Sequence, residues 1–279
     1  MSHDRLQRFD DRWGIHPMER ANGPVFVLAA GWRSGSTFLQ RLLCSSGEVL
    51  IWGEPYGGAG LIPMLSRATA VLNEGWPLEA HFPPRQVFEN LAEHWVANLY
   101  PPPQHLKQGL RALFDHWLHS PARAQGYERF GLKEVRLGVT EARMLAWLYP
   151  DARFVFLVRD PLRAWASAKG EPWDLMLPNH IVSDARGFAL HWVRLTTGFL
   201  AWDTPNGMLI RYEDLIDSDF DFEHLARHCA LRSIDSRVCK KKHRGLPHPP
   251  RALDASEVDT ITQIAGPLLT RLDYGARTS

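Results

Sequence analysis

Three scarcities narrow the field before any motif is read. Cysteine is rare: Cys44, Cys229 and Cys239 are the only three in 279 residues. An odd number without motif spacing predicts neither a disulfide framework nor a zinc ribbon, and fits a reducing, cytoplasmic-type compartment. Long apolar runs are missing. Runs such as residues 25–30 and 154–158 are far short of the roughly 20 residues a membrane helix needs. The opening MSHDRLQRFDDRWG alternates charges without the apolar stretch of a signal peptide, so neither leader nor membrane anchor is expected. An excess of one charge is missing too: 32 Lys and Arg against 31 Asp and Glu leave a formal +1. That argues against a protein that coats nucleic acid.

What remains is the profile of a soluble globular chain, 45% hydrophobic and 23% charged. Its length would allow about two domains, but one compact α/β unit over residues 1–279 is expected. β-rich runs recur at 25–30, 49–52, 130–133, 153–158 and 208–212. They are continuous rather than alternating, as strands buried on both faces should be. Apolar residues at helical spacing lie between and after them: Phe38, Leu39, Leu42 and Leu43; Phe188, Trp192, Leu195, Phe199 and Trp202; Val258, Ile261, Ala265, Leu268 and Leu272. Alternating strands and helices predict a parallel sheet flanked by helices, with right-handed crossovers. Residues 56–126 differ. They carry Pro and Gly punctuation, no clear strand, and two amphipathic patterns at 87–99 and 106–118. They are expected to form a helical insertion after the second strand and the acceptor side of a cleft, since ligands bind at the carboxyl ends of such strands.

The first strand runs into Gly31-Trp32-Arg33-Ser34-Gly35-Ser36-Thr37, with a helix expected from Phe38. Strand, glycine-bearing loop and helix start together build an anion site: loop amides and helix dipole converge, Ser36 and Thr37 add hydroxyls, and Arg33 adds a bidentate cation. A Walker loop would place lysine after the second glycine; here Ser36 follows Gly35, and Ala30 stands where the first glycine would be. A plain turn is the competing reading. Farther along, the strand 153–158 ends in Arg159-Asp160-Pro161, with Asp160 suited to cap a helix that Pro161 opens. Ser167 falls two turns into that helix, so strand-end arginine and helix-face serine can grip one phosphate from two sides. The competing reading is a solvated Arg–Asp turn.

Arg33 to Leu39 resembles the 5′-phosphosulfate loop of sulfotransferases that use 3′-phosphoadenosine 5′-phosphosulfate (PAPS), and Arg159-Asp160-Pro161 with Ser167 resembles their 3′-phosphate motif. The resemblance implies a P-loop NTPase-like parallel sheet, PAPS as cofactor and adenosine 3′,5′-bisphosphate as product. It assigns Arg33, Ser34, Gly35, Ser36 and Thr37 to the phosphosulfate and Arg159 and Ser167 to the 3′-phosphate. Tyr212, in a tyrosine-glutamate-x-leucine element, would sit near the nucleotide or simply pack.

Transfer of a sulfonate to an alcohol benefits from a base for the hydroxyl proton and cations for the developing charge. Glu54, in Gly53-Glu54-Pro55 just past the second strand, resembles the base of bacterial carbohydrate and tyrosylprotein sulfotransferases. A histidine of the insertion (His81, His94, His105 or His116) is the rival base. Lys133 ends the third strand 26 residues before Arg159, a spacing similar to that of the tyrosylprotein enzymes' catalytic lysine, which would assist Arg33 in neutralising the transferring group. A salt bridge to Glu134 or another carboxylate is its alternative. Arg186 is a further candidate to face the nucleotide, and Lys169 and the Lys240–Lys242 run are candidates for the cofactor's phosphates or for solvated surface. The expected acceptor is a carbohydrate or other small alcohol or phenol, with no metal, nucleic acid or membrane involved. A nucleotide kinase on the same scaffold and a non-catalytic nucleotide-binding protein are the alternatives.

Overall fold

The computed structural model describes residues 5–16, 23–169, 171, 175–240 and 250–274. Helix α1 (Arg5–Trp13) precedes β1 (Val25–Ala29), α2 (Ser36–Cys44) and β2 (Val49–Gly53). The stretch that follows holds α3 (Leu61–Ala68), α4 (Pro103–Phe114) and α5 (Ser120–Ala124), and returns to the sheet at β3 (Arg129–Glu134). Then come α6 (Val139–Leu148), β4 (Arg153–Val158) and α7 (Pro161–Ala168). A small antiparallel hairpin, β5 (Leu175–Leu177) and β6 (His180–Val182), leads into the long α8 (Ala185–Ala201). β7 (Gly207–Arg211), the one-turn α9 (Tyr212–Leu215), α10 (Phe222–His228) and α11 (Ala255–Arg271) complete the order.

The five main strands form one parallel sheet in the order β2-β3-β1-β4-β7, flanked by helices, a P-loop-like α/β fold. Alternate residues of the central strands serve opposite cores. Val25, Val27 and Ala29 of β1 join Val155 and Leu157 of β4 on one face, where α2 supplies Leu39, Leu42 and Leu43. Phe26 and Leu28 join Phe154, Phe156 and Val158 on the other, under α6 and the α8 residues Trp192, Leu195 and Phe199. This double burial explains why the strand sequences are unbroken apolar runs. Each fully buried side chain of this size contributes roughly 1.5–3 kcal/mol.

Registers bring the carboxyl ends of the strands level. Gly53 pairs with Lys133, Leu28 with Glu134, Ala29 with Leu157 and Val158 with Arg211. The next residues of every strand therefore emerge at one edge, and β1, with β3 on one side and β4 on the other, is where the connections diverge. That is the place where open parallel sheets bind ligands.

Between β2 and β3 one expectation fails. Residues 87–99 form no α-helix; 85–89 and 91–93 make short 3₁₀ turns instead. Phe88, Leu91, Trp95 and Val96 are exposed, so their stripe covers no core, and a short helix without tertiary packing is not stable. The pattern at 106–118 is a helix: α4 carries it, and a wider π turn extends it over Asp115–His119. α2 starts two residues earlier than expected, and Tyr212 opens α9 rather than ending a strand. No helix among the described residues is long and apolar enough to cross a membrane.

Candidate active site

The loop from β1 to α2 is shaped by three left-handed residues, Gly31, Arg33 and Gly35, with φ of 86°, 59° and 88°. Gly35 caps α2 without a side-chain cap of its own, leaving first-turn amides free for an anion. A Cβ on Gly35 would lie 2.1 Å from the Tyr212 ring, so glycine is required there by both backbone and space. Arg33, a non-glycine residue in the left-handed region, costs of order 1–2 kcal/mol, and the turn aims its side chain across the sheet edge. Its Nε donates to Ser167 Oγ at 2.9 Å, and its guanidinium stands 3.4 Å from the buried carboxylate of Glu171.

The second strand–helix junction forms as its sequence predicts. Asp160 caps α7, accepting from the Leu162 amide at 2.9 Å. Arg159 donates from NH1 to the Arg33 carbonyl at 2.6 Å, and its guanidinium lies 4.6 Å from the centre of the Tyr212 ring. Its Nε is buried without a partner, a donor left over for a ligand. Burial draws this guanidinium down from its ordinary value.

On the other side of the cleft stands Glu54, in the left-handed region at φ 41°. Its amide donates to the Lys133 carbonyl at 2.8 Å, so the β2–β3 ladder runs one rung into the site. One carboxylate oxygen pairs with Lys133 Nζ and the other accepts from Arg136 NH1 at 2.7 Å. Arg136 also bonds Glu134 Oε1 at 2.6 Å, and Glu134 accepts from the Val135 amide at 2.8 Å. Burial works to raise the Glu54 carboxyl, but the charges and hydrogen bonds of Lys133 and Arg136 overcome it and hold it below its usual value. Glu134 goes the other way: its deeper burial raises it in spite of Arg136, and the nearby Glu54 charge adds to the rise.

These residues enclose a cleft of about 390 Å³, lined by Trp32, Arg33, Gly35, Ser36, Thr37, Glu54, Val135, Arg136, Arg159, Ser167 and Tyr212. That volume lies within the ~300–1,000 Å³ of small-molecule and cofactor sites. Of the ten residues that the sequence assigned to catalysis or cofactor binding, eight are in this lining. Lys133 stands behind Glu54 rather than on the surface, and Ser34 is fully buried beneath the loop with its hydroxyl unpartnered. None of His81, His94, His105 and His116 lines the cleft among the described residues; His81 packs against Trp76 and Tyr100, at 5.0 and 4.5 Å between ring centres. Lys169 pairs with Glu257 at 2.5 Å and shares with Arg186 a separate hollow of about 400 Å³ against α11. Lys241 and Lys242 lie outside the described residues.

Sequence reasoning missed four residues. Arg136 lies just past the β3 end, Trp32 lines the cleft, and His191 packs on Trp32 at a tilt with ring centres 4.9 Å apart. Glu171 turns a buried carboxylate toward Arg33. Arg136 was the one with a signal, in Lys133-Glu134-Val135-Arg136: charged residues close behind a buried strand's end, where the ligand edge lies.

An orphan arginine donor, an uncapped helix start and a close-packed glycine fit a phosphate-bearing ligand. Arg33, Ser36 and Thr37 would hold one such group, Arg159 and Ser167 another.

The sequence pattern of the sulfotransferase family matches residues 24–232. Solved structures similar to the chain include a sulfotransferase from Alicyclobacillus acidocaldarius, 15% identical over 91% of this chain and 96% of that one, TM-score 0.44. The sulfotransferase domain of an olefin synthase from Synechococcus PCC 7002 is 15% identical over 89% of this chain and 97% of that one, TM-score 0.43. Sulfotransferase STF9 from Mycobacterium avium is 15% identical over 95% of this chain and 81% of that one, TM-score 0.44. No curated protein matches the chain.

Proposed function

The chain belongs to the sulfotransferase family, and from that premise we propose that it transfers a sulfonate group from PAPS to the hydroxyl of a small acceptor, a carbohydrate or another alcohol or phenol, with Glu54 as general base. When bound, PAPS supplies the sulfonate and leaves as adenosine 3′,5′-bisphosphate. Arg33, Ser36, Thr37 and the first amides of α2 bind the 5′ end; Arg159 and Ser167 bind the 3′-phosphate. Glu54 takes the hydroxyl proton of the acceptor onto its carboxylate. Arg33 brings positive charge to the oxygens where negative charge grows, and Lys133 adds to that field from behind Glu54.

The observation that carries this reading is the position of Glu54. An ionised carboxylate, held between Lys133 and Arg136, lines the same cleft as Arg33, Arg159 and Ser167. A base must be ionised and within reach of the acceptor proton, and an alcohol is too weak an acid to lose it unaided.

Thermal shift provides the first test. Adenosine 3′,5′-bisphosphate should stabilise the protein, and ATP with Mg²⁺ should not. Stabilisation by ATP–Mg²⁺ alone would assign the cleft to a kinase-type ligand and overturn the proposal. Incubation with ³⁵S-labelled PAPS and a panel of sugars, alcohols and phenols then identifies the acceptor.

A further inference from the structure

Arg136 is the most connected side chain of the cleft. NH1 reaches Glu54 Oε2 at 2.7 Å and Glu134 Oε1 at 2.6 Å, and Nε donates to the Met176 carbonyl at 2.7 Å. Met176 belongs to β5, so the guanidinium joins the end of β3 to the β5–β6 hairpin. Its planar face lies 5.7 Å from the Trp32 ring centre, and its own carbonyl accepts from Arg194 at 3.1 Å. Space has been left for it. Gly57 passes so close that a Cβ there would stand 2.5 Å from Arg136 NH1 and 2.6 Å from Glu134 Oε2.

Glu54 lies on a loop and in a left-handed conformation, where backbone alone fixes a carboxylate poorly. Lys133 supplies a single contact, to the other oxygen. A guanidinium fork held at three points resists displacement far better than an ammonium on a flexible stem. Resting on the reading of Glu54 as the base, we propose that Arg136 is a positioning residue for sulfonate transfer: it fixes the Glu54 carboxylate in the cleft and ties its place to the β5–β6 hairpin, while Glu134 anchors the guanidinium from below.

A merely structural arginine and a positioning one differ in what they do to Glu54. The charged groups facing the Glu54 carboxylate are Lys133 and Glu134 from β3 and Arg136 just past it. Without Arg136, burial and the Glu134 charge are opposed by Lys133 alone, so Glu54 should take up a proton at higher pH. The test is a carboxyl-carbon NMR titration of protein with labelled glutamate, the Glu54 signal being identified by its loss in Glu54→Gln. Arg136→Gln should raise the Glu54 midpoint by about one pH unit or more, a tenfold change in ionisation. Arg136→Lys should restore most of that shift. Gly57→Ala keeps every charge and should raise the midpoint through displacement of the fork alone.

In all three variants adenosine 3′,5′-bisphosphate should still raise Tm, which reports an intact fold and donor cleft. Transfer from PAPS to 2-naphthol, used as a probe acceptor, should fall at least tenfold in Arg136→Gln and recover in part in Arg136→Lys. An unmoved Glu54 midpoint in Arg136→Gln and Gly57→Ala overturns the inference. So does loss of adenosine 3′,5′-bisphosphate stabilisation in folded Arg136→Gln, which would make Arg136 a donor-binding residue. Retained transfer in Glu54→Gln instead overturns the base assignment, a result read on a different variant and so distinguishable.

Discussion

Arg33 Nε and Ser167 Oγ are hydrogen-bonded at 2.9 Å, although 134 residues separate them. One comes from the loop after β1, the other from the second turn of α7, and Arg159 closes the arrangement by donating to the Arg33 carbonyl at 2.6 Å. The two candidate phosphate grips are thus one assembly before any ligand arrives. Such pre-organisation lowers the cost of ordering side chains on binding.

The carboxylate of Glu171 shares in that assembly, 3.4 Å from the Arg33 guanidinium and with both oxygens buried and lacking hydrogen-bond partners. A phosphate at Arg33 meets that negative charge. Glu171→Gln should therefore tighten adenosine 3′,5′-bisphosphate binding by about three- to tenfold, or ~1 kcal/mol. Isothermal calorimetry on the two proteins checks it; weaker binding in the variant would show that Glu171 orients Arg33 more than it competes with the ligand.

Arg159 lines the cleft with a buried Nε that lacks a partner. Arg159→Ala should weaken adenosine 3′,5′-bisphosphate binding by 1.5–3 kcal/mol, about 10- to 150-fold, the usual worth of hydrogen bonds to a charged group. Binding of adenosine 5′-monophosphate, which lacks the 3′-phosphate, should change little. Equal losses for both ligands would reassign Arg159 to the 5′ end.

Glu54→Gln preserves shape and removes the proton acceptor. Sulfonate transfer from PAPS should drop by roughly 10²–10⁴-fold, while the Tm rise caused by adenosine 3′,5′-bisphosphate remains. The substitution also leaves Lys133 without its carboxylate partner, so its unliganded Tm should be compared as well. Unchanged turnover would move the base elsewhere in the cleft.

The strands and the two strand–helix junctions were legible in the sequence because each rests on local chemistry: buried runs, a glycine turn, an Asp-Pro helix start. Level strand ends then carried Glu54 and Arg159 to a common edge. A carboxylate partner for Lys133 was legible, but its choice of Glu54 and the joining of Arg136 and Glu134 to the cluster were not. The cluster depends on the β2–β3 register pairing Gly53 with Lys133, and no periodicity within either strand states which rung meets which. The same holds for Glu171, whose approach to Arg33 is set by packing around α7. The false helix at 87–99 has the opposite origin: the periodicity was real, but Trp95, 84% exposed, has no core to face.

His191 gives the protein a pH-dependent stability. Burial lowers its imidazole to about 4, despite the hydrogen bond of Nε2 to the Val135 carbonyl at 3.0 Å. The unfolded chain, with an ordinary value near 6.5, binds the proton first, so stability is complete above about pH 7 and declines as pH falls toward 4. The loss is of order 3 kcal/mol at most. Between pH 7 and pH 4.5, Tm of the wild type should drop more steeply than that of His191→Gln, which keeps a donor for Val135 without a titrating ring. Parallel curves would remove His191 as the source.

Far from the cleft, Asp10 of α1 and Lys107 of α4 form a buried ion pair, and Trp147 of α6 donates to the second Asp10 oxygen at 2.8 Å. Three elements distant in sequence are pinned at one point, with Asp10 only 3% and Lys107 7% exposed. Breaking such a pair from one side strands the other charge in a medium that solvates it poorly. Lys107→Met should cost about 3–5 kcal/mol, seen as a fall of several degrees in Tm. Adding Asp10→Asn removes the stranded charge yet keeps an acceptor for Trp147, so the double variant should regain part of the loss. The non-additivity measures the coupling. Additive effects would mean that the pair is already solvated, and that α4 is held against α1 and α6 by its apolar contacts alone.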